Sequence, residues 1–597
     1  MSRLMLLAIA MLLASFTPTS PSSAAIAIDL GYVDHQSEPY RRFIAWVDAA
    51  LAGEPGYSFS ATDAAYAWRL SGEPAYATLA VEWAERQVAD AERAIALGER
   101  PEVAADSYLQ AGPMIRDVAL VLDWCADAVS ASQRERWGRY ASQTVWNIWN
   151  PGQAHWNGTP QPWSGWGIDD PANNYHYSFI EATMYWALAT DDAGWLQLLE
   201  DAKWPAVVAT VGAITGGGSQ EGTAYGLSHR KLFELYRVWR DARPGHPDLA
   251  NANAHLADSI DWWIHATVPT RDRTAAIGDQ ARVSEPVLYD YHRALLLQAR
   301  ALTRDDAARS AASWWLHAIV NPSMQSGFNL REDLLDAGSG GTPPTSLIHH
   351  APGTGQLFAR TDWGIDATWL QFSAGPYLQS HAHQDQGAFT LYRGEWLAVT
   401  ENIWTRSGIR QQTDGHNLVR FEQSGALVPQ REGTTSVLDI VAGDGGDVHA
   451  EADLTPAYAG APAVQHWLRT LDFVAGRLRV EDRFALGPGT RAVFQVNTPQ
   501  RPIVDGQRAQ AGALRIEVVE PAGAQLEVID WTRRNGSDED TYLGGWRLDI
   551  SGSGTGYVVE LATGDPAPRP GAGCGDDPRR PACRLRPPPD APEPRIR

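Results

Sequence analysis

A chain of 597 residues is too long for one ordinary hydrophobic core and should divide into two or three domains. Its 71 acidic against 49 basic residues leave a net charge of −22, which argues against nucleic acid as a partner and disfavours a strongly anionic ligand unless basic and neutral hydrogen-bonding groups gather in a cleft. Three cysteines rule out a thiolate metal cluster, while 25 tryptophans and 19 tyrosines supply aromatic faces for helix packing and for stacking against sugar rings.

The first 25 residues combine Arg3, an apolar run from Leu4 to Phe16 and small residues at Ser23, Ala24 and Ala25. This is the plan of a cleaved secretory signal, so the mature chain is expected to be secreted or periplasmic; an uncleaved anchor is the alternative. No later apolar run is long and charge-free enough to cross a bilayer. From 26 to 336 the text reads as helix after helix. Residues 61–88 give two amphipathic runs broken at Gly72-Glu73-Pro74, and residues 107–137 give two more. Such pairs suggest a ring or partial barrel of helical hairpins.

Beyond the glycine-rich joint Gly338 to Thr342 the period changes. Residues 367–372, 387–392, 467–474 and 478–484 alternate apolar with polar side chains between Gly, Asp and Pro turns, which predicts an antiparallel β-sandwich over 337–563. The fold class is therefore α+β and multidomain. The tail 564–597, rich in Pro, Gly and Arg, reads as disordered; its Cys574 and Cys583 are close enough in sequence for a small disulfide, whereas Cys125 reads as a buried apolar residue.

Four stretches carry candidate chemistry. Asn173-Asn174-Tyr175-His176-Tyr177 follows the loop from Trp163 through Trp166 to Pro171 and opens a helix, where free amides and the helix dipole favour an anion; a plain Asn cap with an aromatic staple is the competing reading. The run Gly216 to Gly226 holds several glycines close to Tyr225, with His229 and Arg230 as the helix resumes. This suggests backbone approaching a ligand, or else a flexible helix joint. In Ser380-His381-Ala382-His383-Gln384-Asp385, two histidines one residue apart share a face if the segment is a strand, and paired imidazoles hold a metal, neutralise a carboxylate or move a proton. Finally His416, with His383 and an acid near Thr400-Glu401, would complete a nitrogen and oxygen metal site.

These four stretches, in this order across a helical-to-β change, resemble the heparinase II/III-like polysaccharide lyases, including the alginate lyases of similar build. The resemblance runs from about Ala61 to Phe484 and is densest between Gly353 and Asn417. It implies an (α/α) toroid followed by an antiparallel β-sandwich, a cleft between them, and cleavage of an anionic, uronate-containing polysaccharide by β-elimination. By the same resemblance Asn174 (or Asn173) binds the substrate carboxylate, Tyr225 is the catalytic tyrosine, and His381 is the histidine contributed by the β domain. His383 and His416 match ligands of a structural zinc, with Glu401 beside Thr400 where relatives carry an Asp; His176 stands one residue later than the histidine of the usual Asn-His pair.

β-Elimination removes a weakly acidic C5 proton beside a carboxylate and expels the C4 oxygen, so donors must neutralise that carboxylate while a base acts. Tyr225 would serve as base and acid where both groups leave one sugar face. Otherwise His176, His229 or His381 would be the base. Arg230 and Arg360 are companions for substrate carboxylates. Two other readings stay open: a glycoside hydrolase using carboxyls among Asp169, Asp170, Glu181 and Glu221, and a non-catalytic polysaccharide-binding protein.

Overall fold

A computed structural model describes residues 25–279, 285–321, 330–536 and 540–564. The expected signal sequence up to Ala24 and the tail with Cys574 and Cys583 lie outside them.

Among the described residues twelve α-helices fill the first half: α1 Glu38–Leu51, α2 Ala61–Ser71, α3 Pro74–Ala96, α4 Ala111–Trp124, α5 Ala131–Trp149, α6 Asn174–Thr190, α7 Ala193–Leu198, α8 Trp204–Ala213, α9 His229–Ala242, α10 His255–Ala266, α11 Asp290–Leu302 and α12 Asp306–Ala318. Local signals set their ends. The Ser60 N–H donates to the Asp63 carboxylate at 3.0 Å to open α2, Gly72 closes it at φ 72°, and Pro74 starts α3 where no amide partner is needed. Paired packing of α2 on α3, α4 on α6, α9 on α11 and α10 on α12 builds the toroid. Helix α6 is buried on every side from His176 to Leu188, so it runs through the core and reaches a surface only at its two ends. Cys125 is buried and unpaired, which pushes its thiol up to about 12.

The toroid interior is not wholly apolar. Arg116 and Lys231 reach Glu181 at 2.7 and 2.6 Å, and Arg331 reaches Asp63 at 2.7 Å and Glu234 at 3.7 Å. Helical spacing cannot distinguish such a buried charge lattice from a solvated face. Glu181, a candidate acid in the hydrolase reading, is thereby committed to two cations at 1% exposure.

After the turn Glu332–Leu334 the chain becomes β. A five-stranded antiparallel meander runs Ile348–Ala351, Gln356–Arg360, Trp369–Ser373, Phe389–Arg393 and Glu395–Ala398, followed by an eight-stranded and a second five-stranded antiparallel sheet. The alternation expected for a sheet with one wet face is replaced here. Phe358, Trp369 and Tyr392 join the toroid core while Leu357, Leu370 and Leu391 join the sandwich core, so the meander is covered on both faces. It is welded to α10: Trp369 Nε1 donates to the His265 carbonyl at 2.9 Å, and the Trp262 and Phe358 rings meet edge to face at 5.5 Å. Arg360, 3% exposed, donates to the carbonyls of His265 and Thr267 at 2.8 Å each and lies 4.1 Å over the Trp363 ring. It is a junction pin and not the substrate ligand that its charge suggested.

Deeper in the sandwich, Arg469 and Asp482 form a fully buried pair at 2.8 Å; Trp467 Nε1 donates to Asp482 at 2.7 Å, and Arg469 also donates to the Gly387 carbonyl at the end of the histidine motif. Arg469→Met leaves Asp482 charged without its cation. It is expected to cost about 3–5 kcal/mol in chemical denaturation and to loosen the loop that carries His381.

Candidate active site

The histidine motif lies in the loop between the strands Trp369–Ser373 and Phe389–Arg393, not on a strand, so His381 and His383 do not share a pleated face. They converge instead on one carboxylate that sequence reasoning missed. His381 Nδ1 lies 2.9 Å from Asp279 Oδ2 and His383 Nε2 lies 2.8 Å from Asp279 Oδ1. Gln411 Nε2 adds a donor to Oδ1 at 3.2 Å, and the Asp279 N–H donates to the His381 carbonyl at 3.0 Å. Burial alone would raise the Asp279 carboxyl, but hydrogen bonds from both imidazoles outweigh it and hold the group below its ordinary value. Gly278 permits this approach at φ 70°, since a Cβ there would stand 2.8 Å from the His381 carbonyl oxygen. The short Gly278-Asp279 pair was the one cue available in the sequence.

Asp279 comes from the toroid and the histidines from the sandwich, so this contact crosses the domain seam. Tyr225, which begins the turn Tyr225–Ser228, crosses it too: its ring stacks on that of His381 with centroids 3.7 Å apart and planes 5° from parallel. Both residues are half-buried. The glycines ahead of Tyr225 approach protein, not a ligand. Gly216, at φ 80°, passes so close to the sandwich that a Cβ would sit 2.4 Å from the Ala351 Cα.

At the first turn of α6 the two asparagines separate. Asn173 is the N-cap, 3% exposed, with Oδ1 accepting from the Tyr175 N–H at 3.0 Å, and is therefore not a substrate ligand. Asn174 follows it, half-buried, with its Oδ1 unpartnered. Beside the Asn174 N–H sits Glu221, 1% exposed, with neither carboxyl oxygen hydrogen-bonded. Burial, then the Asp170 carboxylate, push Glu221 up to about 8, so it is a neutral acid at neutral pH.

His176 and His229 recede from the chemistry. His176 is 1% exposed, its Nδ1 lies 3.0 Å from the Gly167 carbonyl, and burial lowers it to about 4, so it holds the Trp163-to-Pro171 loop as a neutral ring. That loop carries Trp166, half exposed at 50%, a surface for a sugar face. His229, also 1% exposed, packs between Tyr177 and His255 with its basicity suppressed by burial, and cannot bind substrate. Arg230 is part-exposed but lies 3.7 Å from Glu332.

The zinc expectation does not fit these residues. His383 Nε2 is spent on Asp279, and His416 Nδ1 lies 3.1 Å from the Thr400 hydroxyl, which is not a carboxylate. The His383 and His416 rings stand 5.2 Å apart, and Glu401 is fully buried with both oxygens unpartnered and its carboxyl pushed well above the ordinary range by burial. Among the described residues no three His, Cys, Asp or Glu side chains converge as a ligand set.

No family model matches the sequence, and no curated protein matches it. Solved structures match across nearly the whole chain. A heparinase III structure superposes with a TM-score of 0.57 at 12% identity, covering 93% of this chain and 88% of that one. The heparan sulfate lyase HepC of Pedobacter heparinus gives 0.55 at 13%, covering 91% and 87%, and a chondroitin AC lyase variant of Streptomyces coelicolor A3 gives 0.50 at 11%, covering 89% and 80%. This chain has the heparinase III fold. At such identities the likeness carries the architecture, a helical toroid followed by a β-sandwich, and not the chemistry. Within this heparinase-like fold Tyr225, Asp279 and Asn174 come from the toroid and His381 from the sandwich, so the site exists only where the two halves meet. No described helix is long and apolar enough to cross a membrane.

Proposed function

We propose that the protein is a secreted or periplasmic polysaccharide lyase that cleaves a uronate-containing polymer by β-elimination. The observation that carries this reading is the Tyr225–His381 stack at the seam, beside the open first turn of α6. A uronate carboxylate docked at Asn174 meets a side-chain amide and the positive end of α6. His381, oriented through Nδ1 by Asp279, adds a donor from Nε2 in its doubly protonated form as the intermediate's charge grows. Tyr225, as the phenolate, takes the C5 proton; the C5 electron pair forms the C4–C5 double bond while the C4–O bond breaks, and the phenol returns the proton to the departing oxygen. This reading takes proton and leaving group from the same sugar face, with Tyr225 as both base and acid. With Glu181 committed to cations, the hydrolase reading has lost one of its carboxyls.

The test is incubation of purified protein with a panel of uronate polysaccharides. A lyase releases fragments with an ultraviolet-absorbing double bond and no added water by mass; fragments that have gained water mean hydrolysis, and binding without fragments means a lectin-like role. A pH dependence should accompany turnover. Glu221 is protonated below about 8, and its ionisation above that places a negative charge under Asn174, so kcat/KM should fall as pH rises through this value. The same raised value makes Glu221 favour the folded state at low pH, a contribution that fades from about pH 4.5 to 8. Glu221→Gln, neutral throughout, should keep turnover and lose the alkaline decline in a pH–rate profile. An unchanged decline would clear Glu221 of it.

A further inference from the structure

We infer, building on the lyase reading, that Asp106 and the Tyr175 hydroxyl form a second substrate contact beside the Tyr225–His381 stack, an acceptor pair that binds a hydroxyl of the sugar next to the uronate. Tyr175 follows Asn174 in the first turn of α6, and its hydroxyl donates to Asp106 Oδ1 at 3.0 Å. Burial, then this hydrogen bond, push the phenol up to about 12, and Tyr225 adds to the shift, so the two phenols stand within electrostatic reach of each other. Asp106 is exposed, and among the described residues no other donor reaches its carboxylate. With its one proton spent on Asp106, the Tyr175 oxygen can only accept, as the carboxylate does, so a ligand for the pair must donate. Sugar hydroxyls are such donors. Gly167 packs against Tyr175, a Cβ there standing 3.2 Å from the Tyr175 Cβ, and this brings the preceding residue, the half-exposed Trp166, to the same helix turn.

The backbone sets this pair apart from a chance surface contact. Asp106, Ser107 and Tyr108 are consecutive left-handed residues, at φ 42°, 53° and 63°, and none is glycine. An L side chain crowds the carbonyl in that region, so a run of three is costly and persists only where the surroundings impose it. Here they do. The Tyr108 ring is 1% exposed and packs on Trp163 at 5.1 Å, and the Ser178 hydroxyl of α6 donates to the Leu109 carbonyl at 2.6 Å. With the far end of the turn buried against α6, the near end presents the exposed Asp106 to the Tyr175 hydroxyl. A turn kept only for packing would be better served by glycine at its exposed end, whereas a carboxylate that binds substrate gives a reason for Asp to bear the strain.

Asp106→Gly and Ser107→Gly separate binding from packing. Each frees one left-handed position, so both variants should stay folded, as melting curves will show. The substrate is whichever of alginate, glucuronan, chondroitin and N-acetylheparosan the native protein cleaves fastest. On it Asp106→Gly should raise KM by about tenfold while kcat changes much less, since the contact lies away from the reacting carbon. Ser107→Gly should keep the parent KM. Tyr175→Phe should match the Asp106→Gly loss, and the double variant should add little to either. An unchanged KM in Asp106→Gly, or an equal rise in Ser107→Gly, overturns the inference and leaves the lyase reading intact. If no polymer yields ultraviolet absorbance, the lyase reading fails, and affinity electrophoresis of the same variants against the same polymers decides. Weaker retention of Asp106→Gly than of the native protein and Ser107→Gly upholds the subsite; equal retention, or none of the native protein, overturns it.

Discussion

Tyr225→Phe will lower turnover by about 10²–10⁴-fold, the usual worth of a positioned proton-transfer group, while binding of the polymer changes little. A phenyl ring stacks on His381 as the phenol does, so the 3.7 Å contact across the seam survives and only the hydroxyl is lost. Thermal stability should stay within about 1 kcal/mol of the parent, the scale of a single part-exposed hydrogen bond. Steady-state kinetics, affinity electrophoresis and a melting curve on one preparation separate these effects. Full activity in the variant would remove the phenol from the chemistry and with it the base proposed here.

Asp279→Asn will be nearly as damaging, for a different reason. Asp279 accepts from both imidazoles at 2.8–2.9 Å, and an amide can accept on one side only, so its NH₂ group confronts the nitrogen of the other ring. One histidine must then change tautomer or turn away. If it is His381, the donor aimed at the uronate is lost, and kcat should fall by about 10²-fold or more. Stability should drop by about 2–3 kcal/mol, because charge-assisted bonds in a site 6% exposed are replaced by weaker ones. The pH dependence has a definite sign. A carboxyl held below its ordinary value adds stability above the unfolded value of about 3.9 and loses it as pH falls through the folded one. The stability gap between parent and variant, measured by urea melts, should therefore close below about pH 4. A gap that persists in acid would mean that packing, not the charge, was lost.

Some of the site was legible in the chain and some was not, and the division follows the range of the interactions. The glycine-rich approach to Tyr225 and the spacing of His381 and His383 marked both sides of the seam, because such segments break the surrounding period. Choosing between Asn173 and Asn174 was beyond the sequence, since either can cap a helix and only the folded turn shows that Asn173 does. Arg230 and Arg360 read as cations for an anionic ligand. The structure turns Arg360 inward to two carbonyls, because a buried peptide edge at the domain junction needs donors more than the cleft needs charge. His229 looked like a neighbour of the chemistry by sequence distance, yet helix α9 points it into the toroid core.

By itself the sequence determined the two-part architecture: helical spacing with Ser60, Gly72 and Pro74 at the joins, then a period of two beyond Gly338, all of it written in residues within a turn or two of one another. Tertiary structure alone decided that Asp279, 102 residues from His381, is the carboxylate behind the imidazoles, that Tyr225 lies against that ring, and that the lattice around Glu181 is buried. Backbone geometry and capping are settled by near neighbours along the chain, whereas the partner of a charged side chain is whichever distant segment the packing of helices and sheets brings within hydrogen-bond reach.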